Sequence, residues 1–102
     1  MALAQAAVGT TATVIYTSSG ETVTTNIMLM NNGGSAVVVQ IFAVPNGQSA
    51  GNSTKIIKDL TIDAADTYIL NTEKFVLANG DTIQVTCDTA SSVFATTSFV
   101  GI

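Results

Sequence analysis

The stretch FVLANGDTIQVTCD, residues 75–88, decides the fold of this chain. Three apolar residues lead into Asn79 and Gly80, a pair that is typical of tight turns beside β-strands. Polar and apolar residues then alternate, which places Ile83 and Cys87, with the valine between them, on one face of an extended segment. The stretch therefore predicts a strand that is buried on one side and faces solvent on the other.

Further predicted strands lie on both sides of this stretch. Each is short, rich in β-branched residues and separated from the next by turn residues. No segment has the apolar period of a helix longer than one turn. The sequence therefore predicts an all-β chain, a single antiparallel β-sandwich of about seven to eight strands, with a jelly-roll or an immunoglobulin-like strand order. The other predicted strands are residues 12–17, 22–30, 36–44, 54–62, 67–70 and 93–100.

Residues 36–44 predict a strand that is apolar on both faces, since Gln40 is its one polar residue. One face would lie in the core, and the other would need a cover. That cover would be a neighbouring subunit or a folded-back arm, with a loop of the same chain as the competing explanation. Residues 31–35, with the sequence NNGGS, predict a hairpin that leads into this strand. Residues 45–53, which follow it, predict an exposed loop of the kind that often carries binding residues.

The alanine-rich residues 1–11 lack a sustained period and predict an N-terminal arm, which leaves residues 12–102 as the β-sandwich domain. The arm would either reach onto a neighbouring subunit or fray. The strand of residues 22–30 has a polar face that becomes apolar at its far end, which indicates a covered region or an interface. The side chains predicted to contact another chain are Leu3, Val8, Met28, Met30, Val38, Phe42 and Val44.

Charge is scarce in this chain. Charged residues make up 10% of it, against about 25% in an ordinary soluble domain. Either copies of the chain cover much of its surface, or neutral polar side chains keep it soluble. The net charge is −4, and there is no Arg and no His. Both facts argue against binding to a nucleic-acid backbone or to an anionic membrane, which need clustered cations.

Residues that could carry chemistry are few. Without histidine, and with Cys87 predicted in the core, the chain has no ligand set for zinc or iron and no base to activate a nucleophile. Its acidic residues fall almost entirely in predicted turns, where Asp commonly accepts backbone N–H bonds. We therefore predict that the protein is not an enzyme and has no catalytic, cofactor-binding or metal-binding residue. Two groups could offer oxygen ligands to calcium, without the spacing of a calcium loop: Asp59, Asp63 and Asp66, and Asp81 with Asp88.

The N-terminal sequence MALAQAAVGT lacks the positive flank and the long apolar run of a secretory signal. No run in the chain approaches the ~18 apolar residues that a membrane helix requires. We therefore expect a protein that is made and used without export or membrane insertion.

Several motifs that follow the first ten residues together resemble a known class of protein. Residues 14–17, VIYT, precede a Thr/Val strand, an Asn-Asn-Gly-Gly turn and a Val-rich strand. Ile69 and Leu70 precede residues 77–85, LANGDTIQV, and the chain closes on a Ser/Thr/Ala-rich strand. In this pattern the chain resembles the small β-sandwich virion structural proteins of tailed bacteriophages.

The resemblance implies a non-enzymatic virion protein, expected to be a capsid decoration (cement) protein that forms a homotrimer and binds the outer capsid surface. Its partners would be copies of itself and the major capsid protein or another virion protein. Its location would be the virion, assembled in the host cytoplasm. The alternative is a tail, neck or fibre component, or a receptor- or glycan-binding module that uses residues 45–53 with Tyr16 and Tyr68.

Overall fold

The computed structural model describes residues 2–70, 74–90 and 92–101. These residues form strands and connections without a helix, and the strands make two antiparallel sheets packed face to face. The predicted all-β antiparallel sandwich is therefore confirmed, with nine strands rather than seven or eight. The strands are β1 (Ala2–Val8), β2 (Thr13–Thr17), β3 (Thr22–Asn31), β4 (Val37–Val44), β5 (Lys55–Ile62), β6 (Thr67–Leu70), β7 (Val76–Leu77), β8 (Thr82–Cys87) and β9 (Val93–Gly101).

The strand order is that of a jelly roll. Sheet A has the order β1-β9-β3-β6, with β7 also paired to β3, and sheet B has the order β2-β8-β4-β5. When β6 and β7 are counted as one interrupted strand, β1 pairs with β9 and β2 with β8. Further inward, β3 pairs with β6 and β7, and β4 pairs with β5. This nesting of pairs is the double Greek key of a jelly roll, and it differs from the immunoglobulin order.

Among consecutive strands, only β4 and β5 form a hairpin in the described part of the chain. The hairpin predicted at residues 31–35 is wrong, because β3 belongs to sheet A and β4 to sheet B. The buried amide nitrogen Nδ2 of Asn31 donates to the carbonyl oxygens of Ser35 and Ile62 at 2.9 and 3.0 Å. These bonds hold the chain where it crosses between the sheets. Asn side chains bond to nearby backbone groups in such crossings as they do in tight turns.

The turn at Asn79 and Gly80 likewise joins the two sheets, since it leads from β7 in sheet A to β8 in sheet B. Gly80 has a φ of +88°, and a Cβ at this position would lie 2.6 Å from the side chain of Asn46. The turn therefore favours glycine for its backbone conformation, while the exposed side chain of Asn46 could move aside for a Cβ. The strand after it alternates as predicted, with Ile83, Val85 and Cys87 buried.

Residues 2–8 are not an arm, because they form β1 and pair with β9 over the full length of the strand. The sequence analysis missed this strand because four of its seven residues are alanine, which gives a weak alternation signal. Ala4, Ala6 and Val8 nevertheless face the core. The sequence also predicts a polar break at residues 71–74 and a turn at residues 89–92, and both lie partly outside the described residues.

The core lies between the sheets and takes the inward residues of every long strand. Tyr16 closes one end: its ring lies 4.4 Å, centroid to centroid, from that of Phe99, and its hydroxyl donates to Thr22 Oγ1 at 2.9 Å. Cys87 packs in this core as predicted. The other fully buried apolar side chains, at most 1% exposed, are Val8, Ile27, Leu29, Val39, Ile41, Ile83, Val85, Val93 and Ala95.

Candidate interaction surface

The outward-facing side chains of sheet A form the most unusual surface of the molecule, and we call this surface the outer face of sheet A. Strand alternation and the observed pairing bring these residues together from five strands. They comprise large apolar residues and small neutral polar ones. They are Leu3, Gln5, Ala7, Val23, Thr25, Asn26, Met28, Met30, Thr67, Ile69, Val76, Phe94, Thr96, Ser98 and Val100.

Apolar residues on this face occur at both ends of the sheet. At one end Phe94 lies opposite Met30 across the β3–β9 pair, and Ile69 lies opposite Met28 in the next row. At the other end Val23 has a valine of β9 on one side and Val76 on the other. Of the eight large apolar residues that are exposed among those described, six belong to this face: Leu3, Met30, Ile69, Val76, Phe94 and Val100.

No charged side chain stands on the described outer face of sheet A. The charged residues that the structure describes lie in the connections between strands or on β5 of the other sheet. Lys74 lies in the connection between β6 and β7, and its Nζ donates to the carbonyl oxygen of Thr25 at 2.9 Å. A face that combines exposed apolar residues with an absence of charge is typical of a surface that a partner covers.

The outer face of sheet B has the opposite character. Gln40, Gln84 and Thr86 stand along its central strands, and the amide nitrogen of Gln40 donates to Asp59 Oδ1 at 3.1 Å. The ammonium of Lys55 lies over the ring of Phe42, 5.7 Å from the ring centroid. These polar and charged groups suit a surface that stays in water.

The second side of β4 is therefore covered within the chain. Phe42 is 5% exposed and Val44 4% exposed, so neither offers its side chain to a partner. Lys55 reaches Phe42 because the pairing of β4 with β5 shifts register twice near this point. The cover that the structure shows over Phe42 is Lys55 of the same chain, a side chain of the neighbouring strand β5.

The seven side chains predicted at an interface are not brought to one place. Val8 is a core residue, and Phe42 and Val44 are also buried. These three residues must be removed from the predicted set. Val38 is half-buried on the outer face of sheet B, opposite Thr61. Leu3, Met28 and Met30 all lie on the outer face of sheet A, and for them contact with another chain stays a prediction.

Sequence reasoning missed four exposed apolar residues of this face: Ile69, Val76, Phe94 and Val100. All four are among the alternate residues of their strands that face away from the core, positions that normally carry polar residues. In β9 the signal was present, since the outward phase reads Phe-Thr-Ser-Val while the inward phase is also apolar. The sequence alone does not tell which phase faces the core when both contain large apolar residues.

Three of the described acidic residues accept hydrogen bonds from backbone N–H groups in or beside the connections between strands. The carboxylate of Asp81 accepts bonds from the backbone N–H groups of Asn46 and Ala78, both at 2.9 Å. Asp88 accepts from the N–H of Val38 at 3.1 Å, and Asp66 from the N–H that follows it. Among the described residues, no group of three acidic or thiol side chains is placed to hold a metal ion.

The residues proposed for glycan binding are also separated. Tyr16 is 5% exposed and its hydroxyl is engaged inside the sandwich, so it offers no platform for a sugar ring. Tyr68 is half-buried in an apolar groove of about 320 Å³ between the edges of the two sheets, beside Ile56 and Phe75. The loop at residues 45–53 is largely exposed as predicted, without either tyrosine lining a site with it.

Two further observations complete the description of the surface. The residues that the structure describes include no helix capable of crossing a membrane. Comparison of the chain with protein-family models, curated proteins and solved structures found no match.

Proposed function

We propose that the chain is a non-enzymatic structural protein of a bacteriophage virion, a capsid decoration protein that associates with itself and with the outer capsid surface. The observation that carries the proposal is the outer face of sheet A, which exposes six large apolar side chains and no charge among the described residues. Such a face is costly to leave in water and favourable to cover.

The size of the face suits a specific interface. The two longer extents of the molecule, 38 and 28 Å, enclose a rectangle of about 1,060 Å², while a standard interface covers ~800 Å² on each partner. One sheet can therefore supply a complete interface. Contacts of this kind, repeated over a symmetric particle, add up to firm attachment without one strong site.

The rest of the described surface supports a structural role over catalysis. Described acidic groups such as Asp81 and Asp88 are engaged with backbone N–H groups of the connections. The chain contains no histidine that could act with them as a general base. The jelly-roll order is compatible with a virion protein, although a fold of this kind serves many functions and does not decide between them.

The test uses particles of the encoding phage that lack this protein, to which purified protein is added. We expect the wild-type chain to co-sediment with the particles and to appear as repeated density on the capsid exterior. The double variant Met30→Glu/Phe94→Glu places two carboxylates side by side on the outer face of sheet A and should abolish binding. Val14→Glu/Gln84→Glu makes the same change across one strand pair of sheet B and should bind normally.

Absence of binding by the wild-type chain to any part of the particle would overturn the proposal. Density on the tail or neck instead of the capsid would establish the alternative location and disprove the decoration role. Loss of binding in the sheet B variant with retention in the sheet A variant would show that the wrong face has been assigned.

A further inference from the structure

The edge strands of the two sheets differ in how they are protected against pairing with another chain. An exposed edge offers unpaired backbone N–H and C=O groups, and soluble proteins block such edges with charges, bulges, proline or short strands. β5 carries Lys55, Lys58 and Asp59 and two register shifts. β2 has five residues and a register shift, and β6 and β7 have only four and two residues.

β1 has none of these protections. It is seven residues long, contains no charge and no proline, and pairs with β9 without a register shift. Within the described part of the chain, no strand pairs with its other side. Its outward side chains at Leu3 and Gln5 are exposed, and its inward alanines are small.

We propose that β1 pairs antiparallel with β1 of a second copy of this chain, about a two-fold axis at Gln5. This register is the one that overlaps all seven residues of the strand. It places Gln5 opposite Gln5, Ala4 opposite Ala6, and Leu3 opposite Ala7. The two copies of sheet A then form one continuous sheet, and the edge groups of both strands gain partners.

A second copy is the occupant that the chemistry of the strand favours. An edge that meets itself about a two-fold axis must be self-complementary, and a strand without charge meets its copy without repulsion, although the whole chain carries a charge of −4. Small side chains on both strands allow close pairing. The pairing also joins two uncharged outer faces into one larger surface. The proposed pairing of β1 with its copy does not depend on the proposed role in the virion.

The test measures the mass of the full chain by sedimentation over a range of protein concentrations. Wild-type protein should be a dimer. If the outer faces of sheet A also associate in threes, as in the trimer that the resemblance implies, three such dimers should form a hexamer. Gln5→Lys and Gln5→Glu each place like charges opposite each other at the axis, and each should weaken the pairing by roughly fivefold or more. An equimolar mixture of the two variants should restore it.

Gln40→Lys is the matched control, because it adds the same charge on sheet B, where Asp59 lies next to it. It should leave the mass unchanged. Backbone amides of β1 should exchange with deuterium more slowly as the protein concentration rises in wild type, and not in Gln5→Lys. A wild-type monomer, a wild-type trimer, or a mixture that fails to recover the pairing would overturn the proposal. Binding of an unrelated extended peptide at β1 in place of a second copy would also overturn it.

Discussion

The outer faces of the two sheets are built from strands of the same kind, yet they differ in chemistry. On sheet B, the outward residues of the central strands include Gln and Thr, and β5 adds charged residues. Val14 and Val38 also face outward there, and the one large ring, Phe42, lies under Lys55. On sheet A, the outward residues include Phe94 and Met30, directly opposite each other and without a charged neighbour on the face. Solubility alone would favour polar residues on both outer faces, so the apolar residues on sheet A need another explanation.

The difference between the two faces shows which surface needs an explanation beyond folding. Apolar residues that face inward explain folding, while those that face outward without cover require a second explanation. Among the described residues, six of the eight exposed large apolar residues lie on sheet A, and the same sheet has the unprotected edge β1. The face and the edge are separate observations, and both support the proposal that other chains contact sheet A.

The largest effect is expected where an inward and an outward apolar residue of β3 are compared. Leu29 is fully buried and Met30 is 40% exposed. Leu29→Ala should lower the free energy of unfolding by about 2–5 kcal/mol, because it leaves a cavity in the core. Met30→Ser should change it by less than about 0.5 kcal/mol in the isolated chain. Urea unfolding of both variants at a concentration where the chain is monomeric measures the difference, and equal losses would contradict the assignment of the two faces.

The crossing between the sheets at Asn31 can be tested next. Asn31→Ala removes the donors to Ser35 and Ile62 inside the protein and should cost about 1–3 kcal/mol of stability. Asn32 beside it is exposed, and Asn32→Ala should have little effect. Thermal unfolding of the two variants gives the comparison. A harmless Asn31→Ala would mean that this amide does not hold the crossing.

The second crossing, at Gly80, should respond to a single methyl group. Gly80→Ala forces a residue with a Cβ into a φ of +88° and against Asn46, at a cost of about 1–3 kcal/mol. Gly34→Ala meets open space at an ordinary φ and serves as the control. Chemical denaturation of both variants decides the matter, and equal stability would contradict the geometry of this turn.

The smallest effect is expected at Thr97, on the inward side of sheet A. Its hydroxyl is buried and is the one buried side-chain polar atom among the described residues without a hydrogen-bond partner. Thr97→Val keeps the shape and removes the unpaired group, so it should leave the stability unchanged or raise it by up to about 1 kcal/mol. A clear loss of stability, measured by urea unfolding, would show that the hydroxyl has a partner.

Much of the fold follows from the sequence because alternation is a strong signal. Seven of the nine strands of the described residues were predicted near their observed positions, and the one within residues 75–88 was the clearest of them. The two-residue strand β7 was predicted only as an apolar approach to the turn at Gly80. β1 was missed because alanine gives little contrast between its two faces. The hairpin at residues 31–35 was wrong because Asn and Gly favour both a hairpin and a crossing between sheets, and the choice depends on what lies around Asn31.

Less of the candidate surface followed from the sequence. Leu3, Met28 and Met30 were predicted, while the outward residues of β9 were not, since both phases of that strand contain large apolar side chains. The cover over Phe42 depends on register shifts between β4 and β5 that no local pattern reveals. Residue type predicted contacts on β1 and β3 of sheet A and on β4 of sheet B, and so it did not single out one sheet.

The central claim, that sheet A is the side that meets other chains, is tested most directly by the structure of the protein in its assembled state. Cryo-electron microscopy of the particle with the protein bound would show which face is covered. We predict that Met30 and Phe94 contact a neighbouring chain while Gln40 and Thr86 face solvent. A particle in which the outer face of sheet A is open to solvent and that of sheet B is covered would contradict the account.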